Sequence, residues 1–185
     1  MTTRFSLEHL NTCTPEVFCA ALADIWEHAP WVAYGVVGQR PFATVEALHT
    51  AMVAVVGGQD EPARVAFYAG HPELAGEDAR RGTMTDASIA EQGTLSLARL
   101  DTHEAERWSA LNRAYRARFG FPFILCIRRH TRESALQAFE QRLAHDRATE
   151  LTTTLGEIAA ITRLRLERLV SDVSHAASHG ESLPS

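Results

Sequence analysis

The strongest constraint on the fold comes late in the chain, where residues 150–173 form the longest helical pattern. Leu155, Ile158, Ile161 and Leu169 recur at helical spacing and share one side. At about 100° per residue, Arg165 falls between Ile158 and Ile161 on that apolar side, with Arg163 and Arg168 flanking it. A helix of this kind must be covered by other elements. A guanidinium directed at a core needs an anionic or multi-acceptor partner, because a buried unpaired charge is very costly. Two readings stay open at this stage. Arg165 forms a structural ion pair or snorkels to an edge, or it binds a ligand.

The remaining pattern is also helical. Thr14 and Pro15 suit a cap and a first helical position, followed by Val17, Phe18, Ala21, Leu22, Ile25 and Trp26. Pro30 breaks that helix. Another is expected from Pro41 and Phe42, through Val45, Leu48, Met52 and Val55, to a stop at Gly57 and Gly58. Residues 62–82 are mixed. Further helices are expected over about 85–100, over about 104–118 with Trp108, Leu111 and Tyr115 in register, and around Leu136, Phe139 and Leu143. The run 121–127 is short, apolar and rich in β-formers, so it reads equally as a buried strand or a buried helical turn.

At 185 residues, 45% hydrophobic and 22% charged, the chain suits one soluble domain with a real core. The expectation is a single all-α domain of about eight helices over residues 1–173, with 174–185 a flexible tail. The formal net charge of -5 argues against broad nucleic-acid binding. No apolar run approaches the roughly 20 residues of a membrane span. The start lacks a secretory pattern and the end, Leu183-Pro184-Ser185, is no peroxisomal address, so a cytoplasmic location is expected. Cys13, Cys19 and Cys126 show no Cys-x-x-Cys spacing and read as reduced thiols.

Three polar residues stand out as candidate chemistry: His71, Glu91 and Arg165. A base, a carboxylate and a fixed cation can handle a small anionic substrate without metal or coenzyme. His71 precedes Pro72, which stiffens the loop framed by Gly70 and Gly76. Many loop histidines merely face water. Ser88-x-x-Glu91 fits a capping box, with Ser88 as the cap. Thr85 or Asp86 could equally cap, and then Ser88, Glu91, Gln92 and Leu95 share one face. Other signatures fail. His103-Glu104 lacks the second histidine of a zinc-protease helix, since Arg107 stands there. There is no phosphate loop, dinucleotide fingerprint or Gly-x-Ser-x-Gly elbow.

Read in order, the motifs resemble the OHCU decarboxylases, which act on 2-oxo-4-hydroxy-4-carboxy-5-ureidoimidazoline. The resemblance runs over about residues 7–170. It rests on Pro15-Glu16-x-Phe18, Trp31-Val32, Arg40-Pro41-Phe42 and His71-Pro72-x-Leu74-Ala75-Gly76. Ser88-x-x-Glu91-Gln92, Phe119-Gly120-Phe121-Pro122-Phe123-Ile124 and Glu157-Ile158-x-x-Ile161-x-x-Leu164-Arg165-Leu166 complete it. The chain departs from the family pattern at Glu27-His28-Ala29-Pro30 and at Gly93-Thr94-Leu95, departures expected to touch helix packing more than chemistry.

The resemblance implies an all-α, commonly homodimeric enzyme that forms (S)-allantoin in urate breakdown, with no cofactor and no metal. It implies His71 and Glu91 as catalytic residues. It implies substrate contacts at Pro72, Ser88, Gln92, Phe123, Ile124 and Arg165. A non-catalytic small-molecule binding module on the same helical fold is the alternative. A helical DNA-binding regulator is a third class, disfavoured by the net acidity and the inward placement of Arg165.

Overall fold

Polar caps at the helix starts divide the chain as the sequence pattern requires. A computed structural model describes residues 4–75 and 100–172, and holds eight α-helices among them. These are α1 (Leu7–Thr12), α2 (Pro15–Leu22), α3 (Trp31–Val36), α4 (Val45–Gly57), α5 (Glu61–Ala69), α6 (Thr102–Phe119), α7 (Arg132–Leu143) and α8 (Arg147–Leu169). Ser6, Thr14, Thr44, Asp60 and Asp146 each accept a hydrogen bond from the backbone N–H three residues on. Asp101 with Glu104, and Thr131 with Ser134, close reciprocal capping boxes. The all-α expectation therefore holds. The only strands among the described residues are Phe5–Ser6 and Val170–Ser171, a parallel pair tying the start of the fold to the end of α8.

Three expected boundaries shift. Helix α2 ends at Leu22 rather than running on through Ile25 and Trp26 to Pro30. Helix α4 begins at Val45 rather than near Pro41, because Phe42 is engaged elsewhere. Asn11 Nδ2 donates to the Phe42 carbonyl at 2.9 Å, and the Phe42 N–H donates to Asn11 Oδ1 at 2.8 Å. The mixed stretch after Asp60 opens with a clear helix, α5, whose cap is Asp60 and whose first turn holds Pro62. The helix expected over 85–100 and the tail from 174 lie outside the described residues.

Residues 121–127 form neither a ladder strand nor an α-helix. Helix α6 ends at Gly120, whose φ of 81° is left-handed and suits glycine. The chain then runs through a buried, irregular segment into a 3₁₀ turn at Ile127–Arg129. Its aromatic residues build one end of the core. Phe123 stacks on Phe139 of α7 at 3.8 Å between centroids, and Tyr115 packs edge-on to Phe121, Phe123 and Phe139.

A charged network fastens this segment from behind. Arg142 donates through Nη1 to the Ile124 carbonyl at 2.8 Å and through Nε to Glu150 Oε1 at 2.9 Å, while its guanidinium lies over the Phe123 ring. Glu150, fully buried, also accepts from Tyr115, Thr154 and His145. A second tether comes from α8, where Glu157 Oε2 accepts from the Cys126 N–H at 2.7 Å. Cys13, Cys19 and Cys126 form no disulfide. No helix among the described residues is long and apolar enough to cross a membrane.

Candidate active site

The fastened segment is one wall of a cleft enclosing about 650 Å³, part of it open to solvent. Ile158, Ile161 and Leu164 of α8 line it together with Arg165, and His71 and Pro72 come from the loop after α5. The helical-wheel placement of Arg165 is thus correct: it reaches the cleft from the apolar side of α8. Phe123 and Ile124 line the same space. Five of the expected site residues therefore meet. Ser88, Glu91 and Gln92 lie outside the described residues.

His71 is held by its own turn. Its N–H donates to the Tyr68 carbonyl at 3.1 Å, and its ring packs edge-on to Phe67 at 4.9 Å between centroids. Nδ1 lies 3.2 Å from the Phe67 carbonyl. A carbonyl can only accept, so Nδ1 carries the proton of the neutral ring and Nε2 keeps its lone pair. Burial pushes the imidazole down to about 4. The Phe67 carbonyl and Glu27 act upward, whereas Arg165 and His28 act downward. At neutral pH His71 is a neutral base of fixed tautomer. The loop itself is pinned to α6, where Asn112 Nδ2 donates to the Leu74 carbonyl at 2.9 Å and Arg116 Nε to Glu73 at 2.8 Å.

Arg165 forms the ion pair of the first sequence reading while standing at the cleft. It lines the cleft, and its Nη1 lies 3.0 Å from Glu27 Oε2. The two side chains are only 12% and 4% exposed, so the pair is strongly desolvated. Glu27 follows α2 in a turn where the Ala29 N–H donates to the Trp26 carbonyl, and the next residue, His28, has φ 52°. A non-glycine residue in that region marks local strain, here beside a side chain that lines the cleft. The departure at Glu27-His28-Ala29-Pro30 thus places a carboxylate in the lining of the cleft, 3.0 Å from Arg165. Nothing in the sequence signals this pairing, because Glu27 and Arg165 are 138 residues apart.

The wall offers backbone donors. Among the described residues nothing accepts from the N–H groups of Leu125 and Ile127, although both residues are buried. Buried amides of this kind call for acceptors, and the cleft they border can hold a ligand with carbonyl oxygens. Thr162, hydrogen-bonded to the buried His49 at 3.0 Å, and Arg128 at the end of the wall are further lining residues missed in the sequence. No group of three or more His, Cys, Asp or Glu among the described residues is arranged to hold a metal ion.

The arrangement is a half-buried neutral base facing a desolvated Arg–Glu pair across an apolar cleft with amide donors. Known proteins share the scaffold. A solved structure of (S)-allantoin synthase superposes with a TM-score of 0.72 at 26% identity, covering 89% of this chain and 54% of that one, so the chain spans about half its length. The 2-oxo-4-hydroxy-4-carboxy-5-ureidoimidazoline decarboxylase of Halalkalicoccus jeotgali is 37% identical over 167 residues, 90% of this chain and 93% of that protein. The like-named protein of Haloferax volcanii is 37% identical over 168 residues, 90% of this chain and 98% of its own. With the OHCU decarboxylase family model matching residues 11–167 as well, this chain belongs to the OHCU decarboxylase family.

Proposed function

We propose that the protein is a carboxy-lyase that converts 2-oxo-4-hydroxy-4-carboxy-5-ureidoimidazoline to (S)-allantoin in urate breakdown, working without a cofactor. The observation that carries this reading is the fixed, neutral imidazole of His71 in the same cleft as the Glu27–Arg165 pair. The substrate has a hydroxyl and a carboxylate on one ring carbon, next to an imine-type carbon bearing the ureido arm. Breaking the bond to CO₂ leaves an electron pair that the adjacent C=N accepts, so the substrate is its own electron sink. The ring nitrogen that receives the pair takes a proton from solvent, the hydroxyl becomes a carbonyl by losing its proton, and the ureido-bearing carbon gains one.

His71 Nε2 is the acceptor for the hydroxyl proton, because its lone pair is available at neutral pH. Arg165 and Gln92 bind carbonyl oxygens and stabilise charge as it moves onto the ring. Glu91 holds substrate N–H groups and turns the scissile carboxylate out of the ring plane. Pro72 and Ser88 complete the contacts, and Phe123 and Ile124 with the Leu125 and Ile127 amides cradle the ureido end. The reading includes a cytoplasmic location and a homodimer, and sedimentation of the purified protein tests the second.

The test is circular dichroism during uricase and hydroxyisourate hydrolase treatment of urate, with and without this protein. Rapid growth of an optically active allantoin signal is expected. A folded protein that leaves the slow, racemic background unchanged makes the chain a binding module on this scaffold.

A further inference from the structure

On the decarboxylase reading above, we infer that Arg128 recruits the substrate through its carboxylate at the mouth of the cleft and acts on capture rather than on bond breaking. Arg128 follows the amide-bearing wall directly, in the 3₁₀ turn Ile127–Arg129 that is fixed by the Arg129 and His130 N–H groups donating to the carbonyls of Cys126 and Ile127. It is exposed, yet it lines the cleft. The charges of the described lining residues explain its use. Arg165 is compensated by Glu27 at 3.0 Å, and His71 is neutral at physiological pH. No carboxylate among the described residues pairs with Arg128. Among the described lining residues, the positive charge left over is therefore that of Arg128.

An anionic substrate approaching a site with a compensated inner cation is drawn in by such a charge. The placement at the mouth also suits the chemistry. A cation holding the carboxylate tightly through the reaction would favour the charged ground state over departing CO₂. A cation used on entry raises kcat/KM without lowering kcat. The guanidinium fork matches a carboxylate.

The experiment compares wild type with Arg128→Gln, Arg128→Glu and Arg128→Lys at low and high ionic strength. Loss of a charge-assisted contact of about 1.4 kcal/mol corresponds to a roughly tenfold rise in KM for Arg128→Gln. The expected companions are kcat within about twofold, a larger rise for Arg128→Glu, and a shallower fall of kcat/KM with salt in both, while Arg128→Lys keeps the salt response. Inhibition by allantoin, which lacks the carboxylate, is expected to stay unchanged. A wild-type KM and salt response in Arg128→Gln overturns the inference, as does a fall in kcat at constant KM. Calorimetry with hydantoin-5-acetate and allantoin separates the two layers. If wild type releases no CO₂, the decarboxylase reading fails. Arg128 still stands or falls by a roughly tenfold weakening of hydantoin-5-acetate alone in Arg128→Gln.

Discussion

Arg165 on the last helix and Glu27 in the turn after α2 meet at 3.0 Å across 138 residues of sequence, and both line the cleft. Glu27 fixes where the guanidinium sits. Glu27→Gln keeps the shape of the side chain but removes the orienting charge. The expected result is a fall in kcat/KM of about 10- to 100-fold, since small misplacements of a substrate-positioning group have effects of that order. Steady-state kinetics at fixed pH checks it, with Glu27→Asp restoring part of the rate. Rates equal to wild type in Glu27→Gln would show the pair to be structural only.

The depressed His71 gives two pH signatures. As a base it must be neutral, so kcat/KM should stay level from pH 8 down to about 5 and fall only towards about 4, where an unperturbed histidine would already fail near 6.5. Stability carries the matching sign. Between about 4 and 6.5 the unfolded state binds the proton and the folded state does not, so stability rises with pH across that window and is lost as pH falls through it. The slope per group approaches about 1.4 kcal/mol per pH unit. His49, also lowered by burial, adds a contribution of the same sign. Urea titrations of wild type and His71→Asn at several pH values isolate the His71 part, and an unchanged slope in the variant would refute it.

Arg142 joins stability to the site. Arg142→Met leaves Glu150 buried with one cationic partner fewer and removes the donor to the Ile124 carbonyl. Breaking such a pair from one side costs about 3–5 kcal/mol. Denaturant midpoints measure it. The double variant Arg142→Met with Glu150→Leu should be less destabilised than the sum of the singles, because no uncompensated charge then remains. The single variant should also show a raised KM, reporting the loosened wall.

Gly120→Ala isolates a backbone effect. The φ of 81° is left-handed, and a Cβ placed there would meet nothing nearer than Val65 Cγ1 at 3.8 Å, an ordinary contact. The penalty is therefore conformational, about 1 kcal/mol. A denaturation curve with unchanged slope and a lower midpoint is expected.

Local rules made much of this fold readable. Thr14 with Pro15, Gly57 with Gly58, and Gly120 ended or began helices as cap chemistry requires, and the spacing of Ile158, Ile161 and Leu169 put Arg165 on the inner side of α8. The resemblance then singled out His71, Pro72, Phe123, Ile124 and Arg165, which the fold brings to one cleft. What failed was non-local. Phe42 is held out of α4 by the side chain of Asn11, 31 residues away. Residues 121–127 follow neither period, because Arg142 and Glu157 supply the hydrogen bonds that a strand or helix would otherwise provide.

The sequence by itself determined where helices start and stop and which of their sides are apolar, since capping, proline, glycine and periodicity act within a few residues. Only the tertiary structure decided that Arg165 has Glu27 as a counter-ion, that His71 is a neutral base with its Nε2 lone pair available, and that Arg128 lines the same cleft. Those properties depend on desolvation and on charges contributed by distant segments, and neither exists until the helices have packed.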